Sequence, residues 1–533
     1  MKSAGAILKQ ELVLAYGWYS QETNKKLSGL NMLKFSVWSS RGAGLVLAFD
    51  GAMILVPMLR NIIRIVRPSL QGIIAADENI WFHRQVAYQI LLWTVVHVTA
   101  HYINFIKVEW TQIRVEAAWQ IHYTQAGGIT GHVMLLIMFL MYTTAHVSVR
   151  KQCFEAFWYT HHLAFFWMIG LYTHATGCFV RDSVDPDYIS TFPFYSTEHC
   201  LGYMSWRFTI WAGILYFGER VYREIRARRK TEIVKVLLHP SGAMELRFTK
   251  PSFKYKAGQW LFLNVPEVSK FQWHPFTISS APEDPFVSVH IRQVGDFTKA
   301  LGARLGATVA QSSLPSVEKR ELVGIDKGRR GDFVEVNPAM GQGMPVLRID
   351  GPFGAPAEDV FKSEVAVLVG AGIGVTPFAS ILKHIWYAQR AGRLGSLRRV
   401  EFIWVCRDTG TFGWFQTLLE EIEEAQTDPD FLRISIYLTQ RMDVDAVQNI
   451  TLNDPLTLLR SRTLFGRPDF KQVFTSLASS IESGSYLPGR EASLKTRMGV
   501  YFCGPSALAR LVRTESLKVR SKSISVRFAK EHF

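Results

Sequence analysis

The chain has 533 residues, 48% of them hydrophobic, and a mean hydropathy of +0.07, which is high for a single soluble enzyme. Lys and Arg outnumber Asp and Glu by 60 to 45, a net charge of +15. Those cations flank apolar segments, as in VRPSL at 66–70, RKQ at 150–152 and RARRK at 226–230, which speaks against a nucleic-acid-binding protein and for a chain that is part membrane and part cytosolic.

By length the chain holds about three domains. Residues 5–19 (GAILKQELVLAYGWY) are only half apolar and read as the stump of a span at best. Lys2, Lys9 and Glu11 exclude a secretory signal there. Apolar segments follow near 43–66, 85–106, 131–149, 157–176 and 203–223, each approaching the 17–25 residues of a spanning helix, the first interrupted by Asp50. Arg60, Arg64 and Arg67 place the carboxyl end of the first segment in the cytosol. The next runs outward, the third returns to Arg150 and Lys151, the fourth runs outward, and the last returns to RARRK. Everything after about residue 230 is then cytosolic. The five cysteines are too dispersed for a C-x-x-C zinc site. Cys178 and Cys200 share an outward loop, where a disulfide could form, whereas Cys406 and Cys503 are expected to be reduced.

The cytosolic half begins with short alternating strands, MELRF, QWLFLNV and FVSVHIRQV, punctuated by Gly and Pro, which predicts an antiparallel barrel over 231–300. Residues 307–345 are polar and rich in Gly and Pro, and read as a loose insertion. From 364 onward EVAVLVG, PFASILKHIWYAQ, RVEFIWVC and WFQTLLEEIEEAQ alternate strand with helix, the wiring of a parallel sheet.

Histidines stand inside the apolar segments, where each unsatisfied polar atom costs several kcal/mol. His83 precedes the segment at 85–106, which contains His97 and His101; the segment at 157–176 contains His161, His162 and His174. His83 to His97 is a rise of about 21 Å with a net rotation of only about 40°, so both lie on one face at two depths. His161 to His174 rises about 20 Å, so levels on the two segments match: His83 with His161 on the inner side, His97 with His174 on the outer. On an ideal helix His161 and His174 would sit about 140° apart, and His162 and His174 about 120°. The segment must therefore bend or locally change pitch, with Gly170 a candidate place, and geometry alone leaves His161 and His162 open as the inner partner. Bis-imidazole haem ligation makes sense of four such residues together. His101 lies one turn beyond His97, and Arg41, in SSRGAG, sits at the outer end of the preceding span, where a cation would attract an anion.

In the cytosolic half VAVLVGAGIGVTPF is a strand, a glycine turn at Gly370, Gly372 and Gly374, and a helix opening at Pro377; amides at such a turn can cradle a pyrophosphate. HPFTISSAP, HIRQVGDFT, DGPFG, VCRD, FGRPDF and YFCGPSAL follow in the pattern of strand ends that bear ligands in open sheets. Arg292 can neutralise a flavin pyrophosphate, Arg407 and Arg467 a 2′-phosphate, and the terminal Phe533 can cover a flavin ring.

With FWYTHHL, HPFTISSAPED, HIRQVGDFT, DGPFGAP, GAGIGVTPF, CRD, GRPDF, FCGPSAL and the terminal KEHF, the chain resembles the NADPH oxidase family of superoxide-generating flavocytochromes b, most like its fungal members. The resemblance runs from about residue 27 to Phe533. It implies a multidomain fold: an α-helical transmembrane di-haem domain at 27–228, a ferredoxin-reductase-like β-barrel FAD domain at 229–355 and an α/β NADPH-binding domain at 356–533, after an abbreviated or truncated first helix region at 1–26. It implies haem-iron ligands His83 and His161 (inner) and His97 and His174 (outer), with Arg41 and His101 as the oxygen pocket. Flavin contacts fall on His274, Pro275, Phe276, Thr277, His290, Arg292, Thr298 and Phe533. NADPH contacts fall on Gly370, Gly372, Gly374, Thr376, Pro377, Cys406, Arg407, Arg467, Cys503 and Gly504.

The implied activity is electron transfer from cytosolic NADPH through FAD and two b-type haems to O₂, giving superoxide across the membrane. Implied partners are a Rac-type GTPase, a tetratricopeptide adaptor and a small membrane subunit, in the plasma membrane, endoplasmic reticulum or vesicles. Two rivals stand beside this reading: a ferric-chelate reductase with the same cofactor chain, and a catalytically silent scaffold or proton channel.

Overall fold

The computed structural model describes residues 2–23, 31–70, 78–111, 117–124, 126–174, 206–239, 242–307, 334–338, 343–406, 430–439, 462–489 and 494–531, with isolated positions among 415–428. It divides into two compact units, Met1–Val221 and Tyr222–Phe533.

The first unit is helical: α1 (Lys2–Glu22), α2 (Phe35–Met53), α3 (Arg60–Leu70), α4 (Asn79–Trp110), α5 (Ala118–Thr124), α6 (Ala126–Ala145), α7 (Val147–Gln152), α8 (Phe154–His161), α9 (Ala164–Thr173) and the greater part of α10 (Trp206–Ala227). Among the described residues, Phe35–Met58, Asn79–Trp110 and Gly127–Ala145 are long and apolar enough to cross a membrane.

Several boundaries differ from expectation. The stump at residues 5–19 is instead a helix of 21 residues. Its polar content is matched from outside: Gln10 Nε2 donates to the buried Asp50 Oδ1 of α2 at 2.8 Å. The two helices cross closely, since a Cβ on Gly17 would lie 3.0 Å from Gly42 Cα. The segment expected at 43–66 starts earlier and is cut by Pro57, which lacks an amide hydrogen and sits in a 3₁₀ turn over Val56–Met58. Arg60, Arg64 and Arg67 then fall on the separate helix α3. Glu219 of α10 reaches across to it, Oε1 accepting from the Asn61 amide at 3.0 Å.

The segment at 157–176 is broken, at His162 and Leu163 and not at Gly170. There His162 N donates to Tyr159 O, Leu163 N to Thr160 O and Phe165 N to His162 O, three-residue steps in place of four. Each such step adds about 20° of rotation over an α-helical one, and the chain changes direction as well.

The second unit opens with two antiparallel sheets around one core. Its strands are β1 (Glu232–Leu238), β2 (Ala243–Thr249), β3 (Trp260–Asn264), β4 (His274–Thr277), β5 (Val287–Arg292), β6 (Val334–Glu335) and β7 (Arg348–Phe353), in the orders β5-β2-β1-β6 and β4-β3-β7, with α11 (Asp296–Arg304) between β5 and β6. The three strands expected from alternation are β2, β3 and β5. Most of the insertion at 307–345 lies outside the described residues.

Beyond it a six-stranded parallel sheet runs in the order β11-β10-β9-β8-β12-β13. The strands are β8 (Val365–Ala371), β9 (Arg399–Cys406), β10 (Leu432–Leu438), β11 (Arg462–Phe465), β12 (Thr496–Cys503) and β13 (Ile524–Lys530), with helices α12 (Thr376–Arg390), α13 (Phe470–Glu482) and α14 (Ser506–Lys518). β8 explains why its sequence is an unbroken apolar run. Val365, Val367 and Val369 enter one core, Ala366 and Leu368 the other, so both faces are buried. The helix expected in WFQTLLEEIEEAQ lies mostly outside the described residues. Ser380 Oγ donates to Ser280 O at 2.6 Å, and Lys383 and His384 pair with Asp284 and Glu283, fastening the parallel-sheet part to the barrel.

A heavily desolvated ion pair of this unit closes over β7. Asp350, 4% exposed, takes Arg223 Nε at 2.6 Å and also Arg226 Nη2, and both guanidinium groups lie over Phe353. Removing the carboxylate strands two buried cations. Asp350→Ala should therefore destabilise the unit by about 3–5 kcal/mol, read as a lower urea midpoint for protease sensitivity, while Glu232→Gln, on the exposed Lys230–Glu232 pair, should leave the midpoint unchanged.

Candidate redox site

α4 and the broken segment α8–α9 bring the expected histidines together in two pairs. The ring centres of His83 and His161 are 6.1 Å apart and those of His97 and His174 are 6.2 Å apart. Two imidazoles on opposite sides of one metal ion, with metal–nitrogen bonds of roughly 2.0 Å, have ring centres about 6 Å apart. The separations therefore fit a bis-imidazole metal site at each level.

Neighbouring groups hold one nitrogen of most of these rings. His83 Nδ1 lies 3.0 Å from Ile54 O, His97 Nδ1 lies 2.8 Å from Ser40 O, and His174 Nδ1 lies 2.8 Å from Thr130 Oγ1. Where Nδ1 donates, Nε2 keeps a lone pair for a metal, the arrangement that orients histidine ligands generally. Two glycines leave room beside the second pair. A Cβ on Gly44 would sit 3.2 Å from His97 Cε1, and one on Gly131 would sit 3.1 Å from His174 Cε1. A flat macrocycle needs such space at its edge, so the residues present fit a haem.

The break at His162 and Leu163 also separates the two candidates that the sequence left open. His161 faces His83, whereas His162 is exposed and its Nδ1 turns back to Trp158 O at 2.6 Å. Between the two levels Val86, Ile90, Ile137, Met138 and Trp167 form a buried apolar cluster. His101 stacks edge-on to His97 with ring centres 4.5 Å apart, and Arg41 follows Ser40, whose carbonyl faces His97 Nδ1.

In the second unit HPFT forms β4, with Pro275 exposed, Phe276 half-buried and Thr277 buried. The His274 ring stacks on Phe297 at 3.8 Å between centres. Burial holds the His290 imidazole down to about 4, despite the neighbouring Glu245 carboxylate, and its Nδ1 lies 2.8 Å from Ser279 Oγ. Arg292 is exposed at the end of β5. Thr298 caps the first turn of α11, its Oγ1 accepting from the Gly295 amide at 3.1 Å.

The glycine turn lies where the sheet order reverses. β8 is flanked by β9 on one side and β12 on the other, and Gly370 is in register with Cys503. Crevices at such switch points, beyond the carboxyl ends of the strands, are where open α/β sheets bind ligands. Gly372 has φ +56°, which suits glycine, and a Cβ on Gly374 would lie 2.6 Å from Cys503 O. Thr376 opens α12, its Oγ1 donating to Ile373 O at 2.5 Å, and Pro377 follows in the first turn. Cys406 ends β9 and Gly504 follows β12 at the same edge. Cys406 and Cys503 are buried thiols outside any disulfide, as expected, and burial pushes the Cys503 thiol well above its usual range. Arg467 is exposed beyond β11. Arg407, Phe533, Cys178 and Cys200 lie outside the described residues.

Comparison with known proteins bears on these arrangements. Residues 43–172 match a ferric reductase like transmembrane component, 228–357 an FAD-binding domain and 363–517 a ferric reductase NAD binding domain. Mouse NADPH oxidase 1 is 34% identical over 93% of this chain and 86% of its own length. A superoxide-generating NADPH oxidase heavy chain of Dictyostelium discoideum is 34% identical over 94% and 90%, and human NADPH oxidase 4 is 30% identical over 94% and 92%.

This chain belongs to the NADPH oxidase family. A solved ferredoxin NADP+ reductase from Neisseria gonorrhoeae is similar at 14% identity over 56% of this chain and 98% of that one, with a TM-score of 0.32. The oxidase thus joins a transmembrane ferric-reductase-like domain to FAD- and NAD-binding domains.

Sequence reasoning did not single out Ser40, Gly44, Thr130 or Gly131. The small residues of SSRGAG and GGITG were the available signal for the room beside His97 and His174.

At the glycine turn the conflict is with backbone, which cannot swing away. Gly374→Ala should cut NADPH-driven reduction of a soluble electron acceptor by roughly tenfold or more, through a raised KM, and leave the dithionite-reduced spectrum of the membrane unit unchanged.

Proposed function

We propose that this oxidase moves electrons from NADPH on the cytosolic side, through the flavin and two b-type haems, to O₂ on the opposite side of the membrane, releasing superoxide. The observation that carries the reading is the matched pairing of four histidines, His83 with His161 and His97 with His174, at two levels of one helical unit. When bound, FAD and the haems supply the electron-carrying chemistry that side chains lack.

The chain's own residues bind, orient and insulate. His83 and His161 hold the inner haem, and His97 and His174 the outer. Ser40 O and Thr130 Oγ1 fix the rings of the outer pair so that Nε2 faces the metal. Trp167 and its apolar neighbours fill the interval between the pairs and exclude water from it. Arg41 and His101, beside His97, form the oxygen pocket, where the guanidinium favours a developing anion.

His274, Pro275, Phe276, Thr277, His290, Arg292, Thr298 and the terminal Phe533 hold the flavin. The turn Gly370–Gly374, with Thr376, Pro377, Cys406, Cys503 and Gly504, receives NADPH, and Arg407 and Arg467 select its 2′-phosphate. The domain limits that suit this reading are 27–228, 229–355 and 356–533. The partners expected from the resemblance are a small membrane subunit, a Rac-type GTPase and a tetratricopeptide adaptor, at the plasma membrane, endoplasmic reticulum or vesicles.

The test is NADPH-driven O₂ consumption and superoxide formation by FAD-loaded membranes. His97→Leu should abolish superoxide, and His161→Leu should do the same, whereas the exposed His162→Leu should retain at least half the wild-type rate. Reduction of ferric chelates but not O₂ by a wild type with a reducible b-type spectrum would replace this reading with the ferric-chelate reductase.

A further inference from the structure

The barrel sheet contains a buried cluster of which the proposed flavin site uses only His290. His239 follows β1, Glu245 lies in β2 and His290 in β5, three neighbouring strands. Glu245 and His290 are direct partners in the β2–β5 register. The His239 amide donates to Ala243 O at 2.9 Å, which closes the β1–β2 corner and returns the imidazole over Glu245. One ligand atom from each residue lies within 4.8 Å of the other two. All three side chains are less than a tenth exposed.

The spacing suits a small cation. His239 Nε2 lies 3.4 Å and His290 Nε2 lies 3.8 Å from Glu245 Oε2. Donor atoms held tetrahedrally by bonds of roughly 2.0–2.1 Å stand about 3.4 Å apart, so a contraction of a few tenths of an ångström completes the set. The far side of His290 is arranged correspondingly. Ser279 Oγ donates to Ser288 O at 3.1 Å, and His290 Nδ1 lies 2.8 Å from that same Oγ. Ser279 Oγ also lies 2.8 Å from Ser288 Oγ. In the tautomer with the proton on Nδ1, His290 Nε2 turns a lone pair toward the Glu245 carboxylate, 3.8 Å away, and a cation between the two would relieve their repulsion.

One cation already touches the cluster. Arg247 Nε bonds Glu245 Oε1 at 2.7 Å and Nη2 reaches Oε2 at 3.1 Å, with its guanidinium over the Phe286 ring. It secures Oε1 and leaves Oε2 only partly engaged. Its charge opposes a second cation, so it weakens the site without filling it.

We propose that His239, Glu245 and His290 form a binding site for a divalent transition-metal ion of the zinc type, with two imidazoles, one carboxylate and an open fourth position for water. The ion would clip three strands of the flavin barrel together. The assignment shares His290 with the proposed flavin site, whereas His239 and Glu245 lie outside it.

The test uses the full-length holoprotein in detergent, cleared of exchangeable metal with a chelator and dialysed against Zn²⁺ in excess Mg²⁺. Zinc per chain is measured by elemental mass spectrometry, with flavin and haem content as the check on folding. Wild type should retain a zinc ion that Glu245→Gln and His239→Gln lose, and Arg247→Gln should bind it several-fold more tightly. Equal zinc in the wild type and both ligand variants, or none in wild type, overturns the site and leaves a hydrogen-bonded polar network. Should the ligand variants lose their flavin, Arg247→Gln decides: tighter binding supports the site and unchanged binding overturns it.

Discussion

An imidazole nitrogen left unsatisfied within a membrane-spanning helix is costly, because no water is there to bond it. That constraint governs the helical unit. Ile54 O, Ser40 O and Thr130 Oγ1 each take one nitrogen, and the other is left facing a second histidine about 6 Å away between ring centres. A pair so placed can hold a metal between its members, and on the proposed reading the two pairs at matched depths hold two. The break at His162–Leu163 brings His161 opposite His83, Gly44 and Gly131 stand beside His97 and His174, and the apolar cluster around Trp167 lies between the pairs.

The second unit answers a different requirement, which is to hold large anionic cofactors without burying uncompensated charge. It does so mainly with backbone. The crevice beside β8 presents amides and space where Gly372 and Gly374 allow the chain to turn tightly, and it lies at the reversal of strand order. Asp350, a charge buried in this unit, is paired between Arg223 and Arg226. Ser380, Lys383 and His384 fix the parallel sheet against the segment that follows HPFT, so the two cofactor regions share one scaffold.

Much of this was legible in the chain because period and spacing are local properties. The alternation in MELRF and FVSVHIRQV gave β2 and β5, the unbroken VAVLVG gave a strand buried on both faces, and the fourteen-residue interval from His83 to His97 gave two levels on one helix face. What was illegible depended on partners distant in sequence. The half-apolar composition of residues 5–19 read as a stump, but one of its polar side chains, Gln10, bonds Asp50 on the next helix. The ideal-helix rotation placed His161 and His174 on different faces, and Gly170 was the natural suspect for a bend. The chain instead tightens at His162 and Leu163, which periodicity cannot reveal. Gly44 and Gly131 carry no motif, and their use appears only when the rings they face are placed.

The central claim is two bis-histidine haem sites in one chain, and haem stoichiometry with coordination state tests it most directly. Purified protein would be assayed for haem b per polypeptide by pyridine haemochrome, alongside low-temperature electron paramagnetic resonance of the oxidised form. The account predicts two haems per chain, both low-spin with bis-imidazole signatures. A single haem per chain, or a high-spin five-coordinate signal in the native protein, would contradict it.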